Sequence, residues 1–272
     1  MRVTQSMLSN NMLRNLNTSY GKMSKLQELI QSGKKITRPS DDPVIAVRGM
    51  GHRTELTKIE QYQRNTNEVN SWLDTTDEAL DQVGNALHRV RELVVQVAND
   101  TNTQADRENI LAEISQMRLQ IQDLGNTKVS GNYIFSGTKT NTPLFVGGAK
   151  NTSADALHAG MNNSVKVDIS DGIQLQMNTP GQLMFDDIDN FMEQLENLLQ
   201  NGATGEQLTT ALGATISTTG GTPAIPGLDV VFEDVLTKRA DIGARMNRLE
   251  MMENRLDIQF VNKTKRAYNK KI

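Results

Sequence analysis

A seven-residue repeat of apolar side chains constrains this chain more than any other feature. Between Ile59 and Val97 a single register, with spacings that alternate between three and four residues, has only two weak positions, Thr66 and Thr76. Its apolar members are Ile59, Tyr62, Val69, Leu73, Leu80, Val83, Leu87, Val90, Val94 and Val97. Such a stripe is typical of the seam of a coiled coil or helical bundle. A helix starting near Val44 would measure roughly 75 Å at about 1.5 Å per residue, so we expect an elongated chain.

A matching stripe lies near the C-terminus, with Arg239 and Glu253 at its two polar positions. Its apolar members are Phe232, Val235, Ile242, Met246, Leu249, Leu256 and Phe260. The two stripes predict a mainly α fold, an elongated antiparallel bundle or coiled coil built from both ends of the chain. The expected bundle core includes Leu73, Leu80, Leu87, Val94, Ile242, Met246 and Leu249.

Between these stripes a short helix precedes a segment with a different residue pattern. The polar run 99–103 breaks the first helix, and Thr103 with Asp106 has the pattern of a helix start. The new helix carries an apolar stripe from Ile110 to Leu124 and is expected to end by Gly131. Two helices joined by so short a break are expected to pack antiparallel.

Residues 131–185 are predicted to form a β-rich insert in this helical chain. Residues 132–137 have the composition of a short strand and a turn. Two segments in which apolar and polar residues alternate flank Asp171 and Gly172, and this pattern predicts a β-hairpin. Helix is expected again from Asp186 to Gln200. We interpret Asp186, Asp187 and Asp189 as an acidic first helical turn rather than a cation site, because no other ligand type accompanies them.

The N-terminal segment carries an apolar stripe of its own. Its members are Leu13, Leu16, Tyr20, Met23 and Ile30. Leaving five such side chains in water forgoes roughly 7–15 kcal/mol of possible burial. An isolated helix of this length is also marginal. We therefore predict that these residues form an assembly surface, covered by this chain or by a neighbouring subunit.

Composition argues against most other functions. The chain lacks cysteine, and its three histidines are far apart in the sequence, so we expect no catalytic, cofactor-binding or metal site. A net charge of -3 gives no basic field for nucleic acid, although both ends are basic. No apolar run approaches the roughly 18 residues that a membrane helix needs, so we expect no membrane insertion. The N-terminus lacks the apolar core of a cleavable signal peptide.

One short motif has two adjacent carboxylates between two prolines, a pair that could suggest acid–base chemistry. It consists of Pro39, Ser40, Asp41, Asp42 and Pro43. Ser or Asp before Pro43 suits a helix N-cap, with proline at the first helical position. We favour this structural interpretation over general acid–base chemistry, which needs a partner and a pocket.

The segment from Ser32 to Pro43 resembles the N-terminal signature of bacterial flagellin-like proteins, and its proline-flanked version resembles the hook–filament junction members of that family. Residues 70–80, the run from Gly131 to Gly137 with the following 143–145, and residues 239–250 resemble three further stretches of those members. The resemblance covers about residues 1–258.

The resemblance implies a structural adaptor of the bacterial flagellum, exported unfolded through the flagellar type III channel. It implies four kinds of partner: neighbouring copies of the chain, a hook-side hook-associated protein, flagellin and a cytoplasmic export chaperone. It places the protein outside the cell at the hook–filament junction, and in the cytoplasm before export. The terminal helices of such proteins pair in a coiled coil that lines the central channel.

The chain departs from the family pattern after about Gln259, where a basic tail without a heptad seam replaces a longer apolar helix. We therefore expect the N-terminal helix to lack an intramolecular partner and to be disordered in the free protein. The expected organisation has six segments. They are an assembly segment, 1–40; the first part of the rod, 41–130; the insert, 131–185; a helix and a Gly/Thr/Pro-rich loop, 186–227; the returning helix, 228–260; and the tail, 261–272.

Two other functions stay open at this point. An atypical flagellin filament subunit belongs to the same class, although flagellins usually follow their Asp-Asp pair with small residues instead of proline. A secreted ligand-binding or enzymatic domain on a helical stalk belongs to a different class. It would use the insert, which contains one histidine, His158, and no convincing catalytic pair.

Overall fold

The protein is mainly α-helical, as the sequence predicts. A computed structural model describes residues 5–33, 36, 38–99, 102–152, 159–213 and 226–269. The described residues contain six helices: α1 (Gln5–Ser32), α2 (Pro43–Val97), α3 (Gln104–Gly125), α4 (Gln182–Gln200), α5 (Gly205–Gly213) and α6 (Leu228–Asn269). The expected flexible loop at 213–227 falls mostly on residues 214–225, which lie outside the described residues.

The β structure consists of three antiparallel hairpins between α3 and α4. They pair β1 (Lys128–Val129) with β2 (Asn132–Tyr133), β3 (Phe145–Val146) with β4 (Ala149–Lys150), and β5 (Lys166–Ser170) with β6 (Ile173–Gln176). The last hairpin turns at Asp171–Gly172 as predicted, and Gly172 has a φ of 72°, which favours glycine. A 3-10 turn, Ala159–Asn162, precedes it. The predicted β-rich insert is therefore confirmed as a set of small hairpins.

The chain divides into two units, which we call the terminal unit (residues 1–63 and 254–272) and the central unit (64–253). The central unit contains an antiparallel pairing of α2 with α6. Arg91 bonds Asp229 at 2.6 Å and Arg239 bonds Asp81 at 2.7 Å, so residue numbers rise along one helix as they fall along the other. Within the terminal unit, Gln63 bonds Asp257 at 2.8 Å in the same antiparallel sense.

A threonine cap fixes the start of α3. The Thr103 hydroxyl accepts a hydrogen bond from the backbone N–H of Asp106, and the Asp106 carboxylate accepts one from the backbone N–H of Thr103. This capping box satisfies two amides that the helix leaves unpaired. The predicted break and restart are confirmed, but α3 ends at Gly125, six residues before the expected stop at Gly131.

The expected acidic first turn near Asp186 is wrong. Helix α4 begins at Gln182, so Asp186, Asp187 and Asp189 lie in its second turn or later. Gly181 occupies the cap position. A Cβ atom at this position would lie 2.8 Å from Cδ1 of Phe135, and glycine avoids this clash because it has no Cβ. Sequence also missed α5, and α6 continues to Asn269, beyond the expected end of the returning helix at residue 260.

Candidate assembly site

Helix α1 presents its apolar side chains to solvent. The five stripe residues predicted as an assembly surface are between 51% and 81% exposed, and these are Leu13, Leu16, Tyr20, Met23 and Ile30. Four more large apolar residues of the helix are exposed as well: Met7, Leu8, Met12 and Leu26. No described residue of α1 is buried. This set of nine side chains is called the α1 apolar face below.

The terminal unit has almost no core of its own. Among its described apolar residues only Ile59 and Leu256 are buried. The central unit, by contrast, contains a continuous cluster of buried apolar residues that runs from Val69 to Leu249. Burial of a large apolar side chain is worth roughly 1.5–3 kcal/mol, so nearly all of the hydrophobic stabilisation resides in the central unit. The α1 apolar face is therefore a surface that gains stability when something covers it.

The proline-flanked motif caps helix α2. The Oδ1 atom of Asp42 accepts hydrogen bonds from the backbone N–H groups of Val44 and Ile45, both at 3.0 Å, while Pro43 occupies the first helical position. Asp42, rather than Ser40, is thus the capping residue. Its neighbour Asp41 accepts a hydrogen bond from Nζ of Lys25 at 3.2 Å and links the motif to α1.

The remaining motif residues, Pro39 and Ser40, lie in the exposed turn that precedes this cap. The two carboxylates therefore have structural partners: Asp41 also accepts a hydrogen bond from the backbone N–H of Arg38 at 3.3 Å. This arrangement orders the connection between α1 and α2, because both carboxylates of the motif accept hydrogen bonds from neighbouring groups.

The residues predicted for the bundle core lie in the seam between α2 and α6. Six of them are at most 1% exposed: Leu73, Leu80, Leu87, Val94, Ile242 and Leu249. Met246 is half-buried and packs against the same cluster. The polar seam residue Arg239 reaches Asp77 and Asp81 on α2, and the hydrogen bonds that it donates to Asp77 raise the pKa of its guanidinium.

Sequence reasoning missed a buried polar cluster between α3 and α4. Arg118 donates to Asp189, Glu196 and Glu193, and Gln122 donates to Oδ1 of Asp189 at 2.7 Å. Burial opposes the charge of Arg118, yet these carboxylates outweigh it and raise its pKa. The spacing of the acids on α4, i, i+4 and i+7, is a signal that they share one helix face. Nothing in α3 alone identifies Arg118 as their partner.

A shallow groove of about 320 Å³ lies between the N-terminal parts of α4 and α6 in the central unit. Its lining residues are Met184, Asp187, Pro226, Val230, Val231 and Asp234. Burial raises the pKa of Asp187, and the charge of Asp234 raises it further. Val230, one of these lining residues, is 46% exposed. We call this surface the α4–α6 groove.

The described residues contain no group of three or more potential metal ligands. None of their helices is both long and apolar enough to cross a bilayer. The ring of His88 packs edge-on against Phe232 with centroids 4.5 Å apart, and His52 lies 3.5 Å from Glu55. The third histidine, His158, lies outside the described residues.

Comparisons with known proteins agree with this architecture. Residues 3–140 match the family model for the bacterial flagellin N-terminal helical region. Flagellar hook-associated protein 3 of Escherichia coli is 24% identical over 93% of this chain and 83% of its own length. A flagellin of Clostridium tyrobutyricum is 32% identical over 65% of this chain, but the chain spans only 44% of that flagellin.

A solved structure shares the fold. The hook-associated protein 3 of Legionella pneumophila superposes with a TM-score of 0.64 at 16% sequence identity, covering 80% of this chain and 97% of that one.

Proposed function

The chain belongs to the bacterial flagellin family, and on that premise we propose that it is a structural adaptor subunit of the flagellum. In this proposal it joins a hook-side junction protein to the flagellin filament and performs no reaction. The relative that matches along most of both chains is called hook-associated protein 3, whereas the chain spans less than half of the matched flagellin. This difference in coverage favours the adaptor over a filament subunit.

The observation that carries the proposal is the exposed α1 apolar face. A helix with no buried residue and nine exposed apolar side chains is stable only when it is covered, and a subunit of a polymer is covered by its neighbours. The partners are accordingly other copies of this chain, the hook-side protein and flagellin. A cytoplasmic chaperone covers such a surface before export, and the mature protein lies outside the cell at the hook–filament junction.

The segments have separate roles in this proposal. Residues 1–40 supply the assembly surface, residues 41–130 and 228–260 supply the paired helices, and residues 131–185 supply the hairpins. Asp42 holds the start of α2 through its two backbone hydrogen bonds, and the buried seam from Leu73 to Val94 holds α2 against α6. The polar cluster around Arg118 fixes α4, which follows the hairpins, to α3.

Complementation tests this proposal. The chain is expressed in a bacterium that lacks its own hook–filament junction protein, and filaments are scored by electron microscopy. The expected result is filaments on hooks, either with the chain as it stands or after a family-like apolar helix is appended at its C-terminus. A matched variant with Leu13, Leu16 and Met23 changed to Gln is expected to be produced but to leave hooks bare. Bare hooks with both forms of the chain contradict the adaptor role.

The second candidate, a flagellin filament subunit, rests on the 32% identity to a flagellin. A strain that lacks flagellin separates the two. In that strain a filament subunit restores long filaments, whereas the adaptor leaves the hooks without long filaments.

A further inference from the structure

The hairpin formed by β5 and β6 is held together from within. Its two strands are antiparallel and hydrogen-bonded to each other. At the open end of the hairpin, the buried side chain of Asn178 accepts a hydrogen bond from the backbone N–H of Val165 at 2.7 Å and donates one to the carbonyl oxygen of Asn163 at 3.0 Å. The segment 163–178 is therefore closed by its own hydrogen bonds, independently of the paired helices α2 and α6.

Two hydrogen bonds attach this hairpin to the paired helices. Nδ2 of Asn65 on α2 donates to the backbone carbonyl oxygen of Asp168 at 2.8 Å, and Nη1 of Arg245 on α6 donates to that of Asn178 at 3.1 Å. Hydrogen bonds of this kind add only modestly to stability, because water offers the same bonds to the separated groups.

Two buried polar atoms beside these attachments have no hydrogen-bond partner in the described part of the chain. They are Nε1 of Trp72 and Oγ1 of Thr179, and both residues are 4% exposed. Trp72 lies on the same side of α2 as Asn65, because it is one heptad further along the helix. Thr179 directly follows Asn178. Such an atom loses its bonds to water on burial and gains nothing in return, which is unfavourable.

The attachment of the hairpin is therefore a balance between opposing effects. Ile169 and Leu175, one from each strand, are buried, and their burial favours the attached position. The unpaired atoms of Trp72 and Thr179 oppose it. The two effects are of the same order, because the burial of an aliphatic side chain and the loss of a buried hydrogen bond have similar free energies.

We propose that the β5–β6 hairpin is a strap with two states, docked on α2 and α6 or released from them, and that release uncovers the side of α2 on which Trp72 lies. In the released state water bonds Nε1 of Trp72 and Oγ1 of Thr179. The buried seam between α2 and α6 is the same in both states. Such an element gives the subunit two alternative surfaces without unfolding of its long helices. The strap is a property of the free chain and does not depend on the flagellar role.

Quenching of Trp72 fluorescence by acrylamide tests the strap in the full chain, because this residue is its single tryptophan. The variant Asn65→Ala/Arg245→Met removes both attachments and is expected to raise the ratio of released to docked chains roughly tenfold, so that quenching increases. Thr179→Val keeps the shape of the side chain and removes its unpaired oxygen. It is expected to lower the same ratio roughly tenfold, so that quenching decreases.

The matched control is Asn85→Ala/Arg91→Met. It makes the same two changes at residues of α2 that bond elsewhere, Asn85 to Asp81 and Arg91 to Asp229. This control is expected to keep the quenching of the wild type.

A distance measurement shows the two states directly. Because the chain has no cysteine, spin labels at Glu68→Cys on α2 and Lys166→Cys on β5 report one distance, between the helix and the hairpin. The wild-type background is expected to give a short distance from docked chains and a longer one from released chains. Asn65→Ala/Arg245→Met and Thr179→Val are expected to shift the two populations in opposite directions.

A single distance that no variant changes overturns the inference. Quenching of Trp72 that stays the same or increases in Thr179→Val also overturns it, because the Thr179 hydroxyl would then hold the docked hairpin through a bound water. Filament formation on hooks tests the flagellar role separately, and neither result bears on the other.

Discussion

Arg118 of α3 and Asp189 of α4 form a two-bond ion pair, with Nε to Oδ1 at 2.8 Å and Nη2 to Oδ2 at 3.2 Å. Asp189 is only 4% exposed, and Gln122 donates a further hydrogen bond to it. The pair joins the helix before the hairpins to the helix after them. Its loss would leave a carboxylate buried without a compensating charge, which is costly in a protein interior.

Replacement of Arg118 by Met is therefore expected to lower the free energy of unfolding by about 3–5 kcal/mol. The double variant Arg118→Met/Asp189→Asn is expected to lose less, because Asp189, the most buried of the carboxylates around Arg118, is then uncharged. Chemical denaturation measures both. Arg239→Met removes a pair that is about a third exposed and is expected to cost only about 1 kcal/mol. Equal losses in the single and the double variant would contradict this account.

Glycine is required at position 137 by the backbone conformation and by the lack of space for a side chain. Its φ is 59°, and a Cβ there would overlap the backbone carbonyl oxygens of Gly160 and Met161. We expect Gly137→Ala to destabilise the central unit by about 3 kcal/mol, from left-handed backbone strain and overpacking together. Gly84→Ala is the matched control, since Gly84 lies within α2 with open space around it. It is expected to stabilise by about 0.5–1 kcal/mol. Thermal unfolding of the two variants measures the contrast, and equal melting temperatures would be incompatible with it.

The α3 cap makes stability depend on pH. The hydrogen bond from the Thr103 hydroxyl, at 2.6 Å, lowers the pKa of Asp106 below its ordinary value of 3.8. A depressed pKa in the folded state means that the stabilisation is present above pH 3.8 and is lost as the pH falls through the folded value.

Protection of the amide hydrogens in the first turn of α3, taken relative to the random-coil rate at each pH, is expected to fall in that acidic range. Thr103→Ala, which removes the hydroxyl, is expected to shrink the pH effect. Asp106→Asn, which cannot titrate, serves as control. If amide protection in Thr103→Ala followed the same pH curve as in the wild type, the role of the cap would be disproved.

The sequence predicted the elements whose signal is local and periodic. The seam from Leu73 to Val94, the restart at Thr103 and the turn at Gly172 follow from residue spacing or from a single backbone requirement. Helix α4 was placed too late because its start depends on Gly181 packing against Phe135, a contact between residues 46 positions apart. Helix α5 is too short to show a clear period.

The apolar face of α1 was likewise predictable from the stripe of that helix, whereas the partners of the buried polar residues were not. Arg118 and its partner Asp189 are 71 residues apart in the sequence. The α4–α6 groove is formed by two segments that are about 45 residues apart. Such pairs depend on how the helices pack, and packing is a property of the folded chain as a whole.

Helix α1 is expected to exchange its amide hydrogens much faster than the central unit in the free protein. Since none of its described residues is buried, local opening exposes no additional apolar surface and costs little. Amides of residues 5–30 are expected to exchange at close to random-coil rates, while those of the α2 seam around Leu80 exchange slowly. Amide exchange of the dilute monomer measures both regions at once. Strong protection of residues 5–30 would show that α1 is covered within a single chain.

The position of the chain along the flagellum tests the adaptor role most directly. An epitope tag is inserted at the exposed hairpin turn Asp171–Gly172, and immunogold labels are mapped by electron microscopy in cells that assemble filaments with this chain. The account predicts one narrow band of label where the hook meets the filament. Label distributed along the filament would contradict it and would identify the chain as a filament subunit.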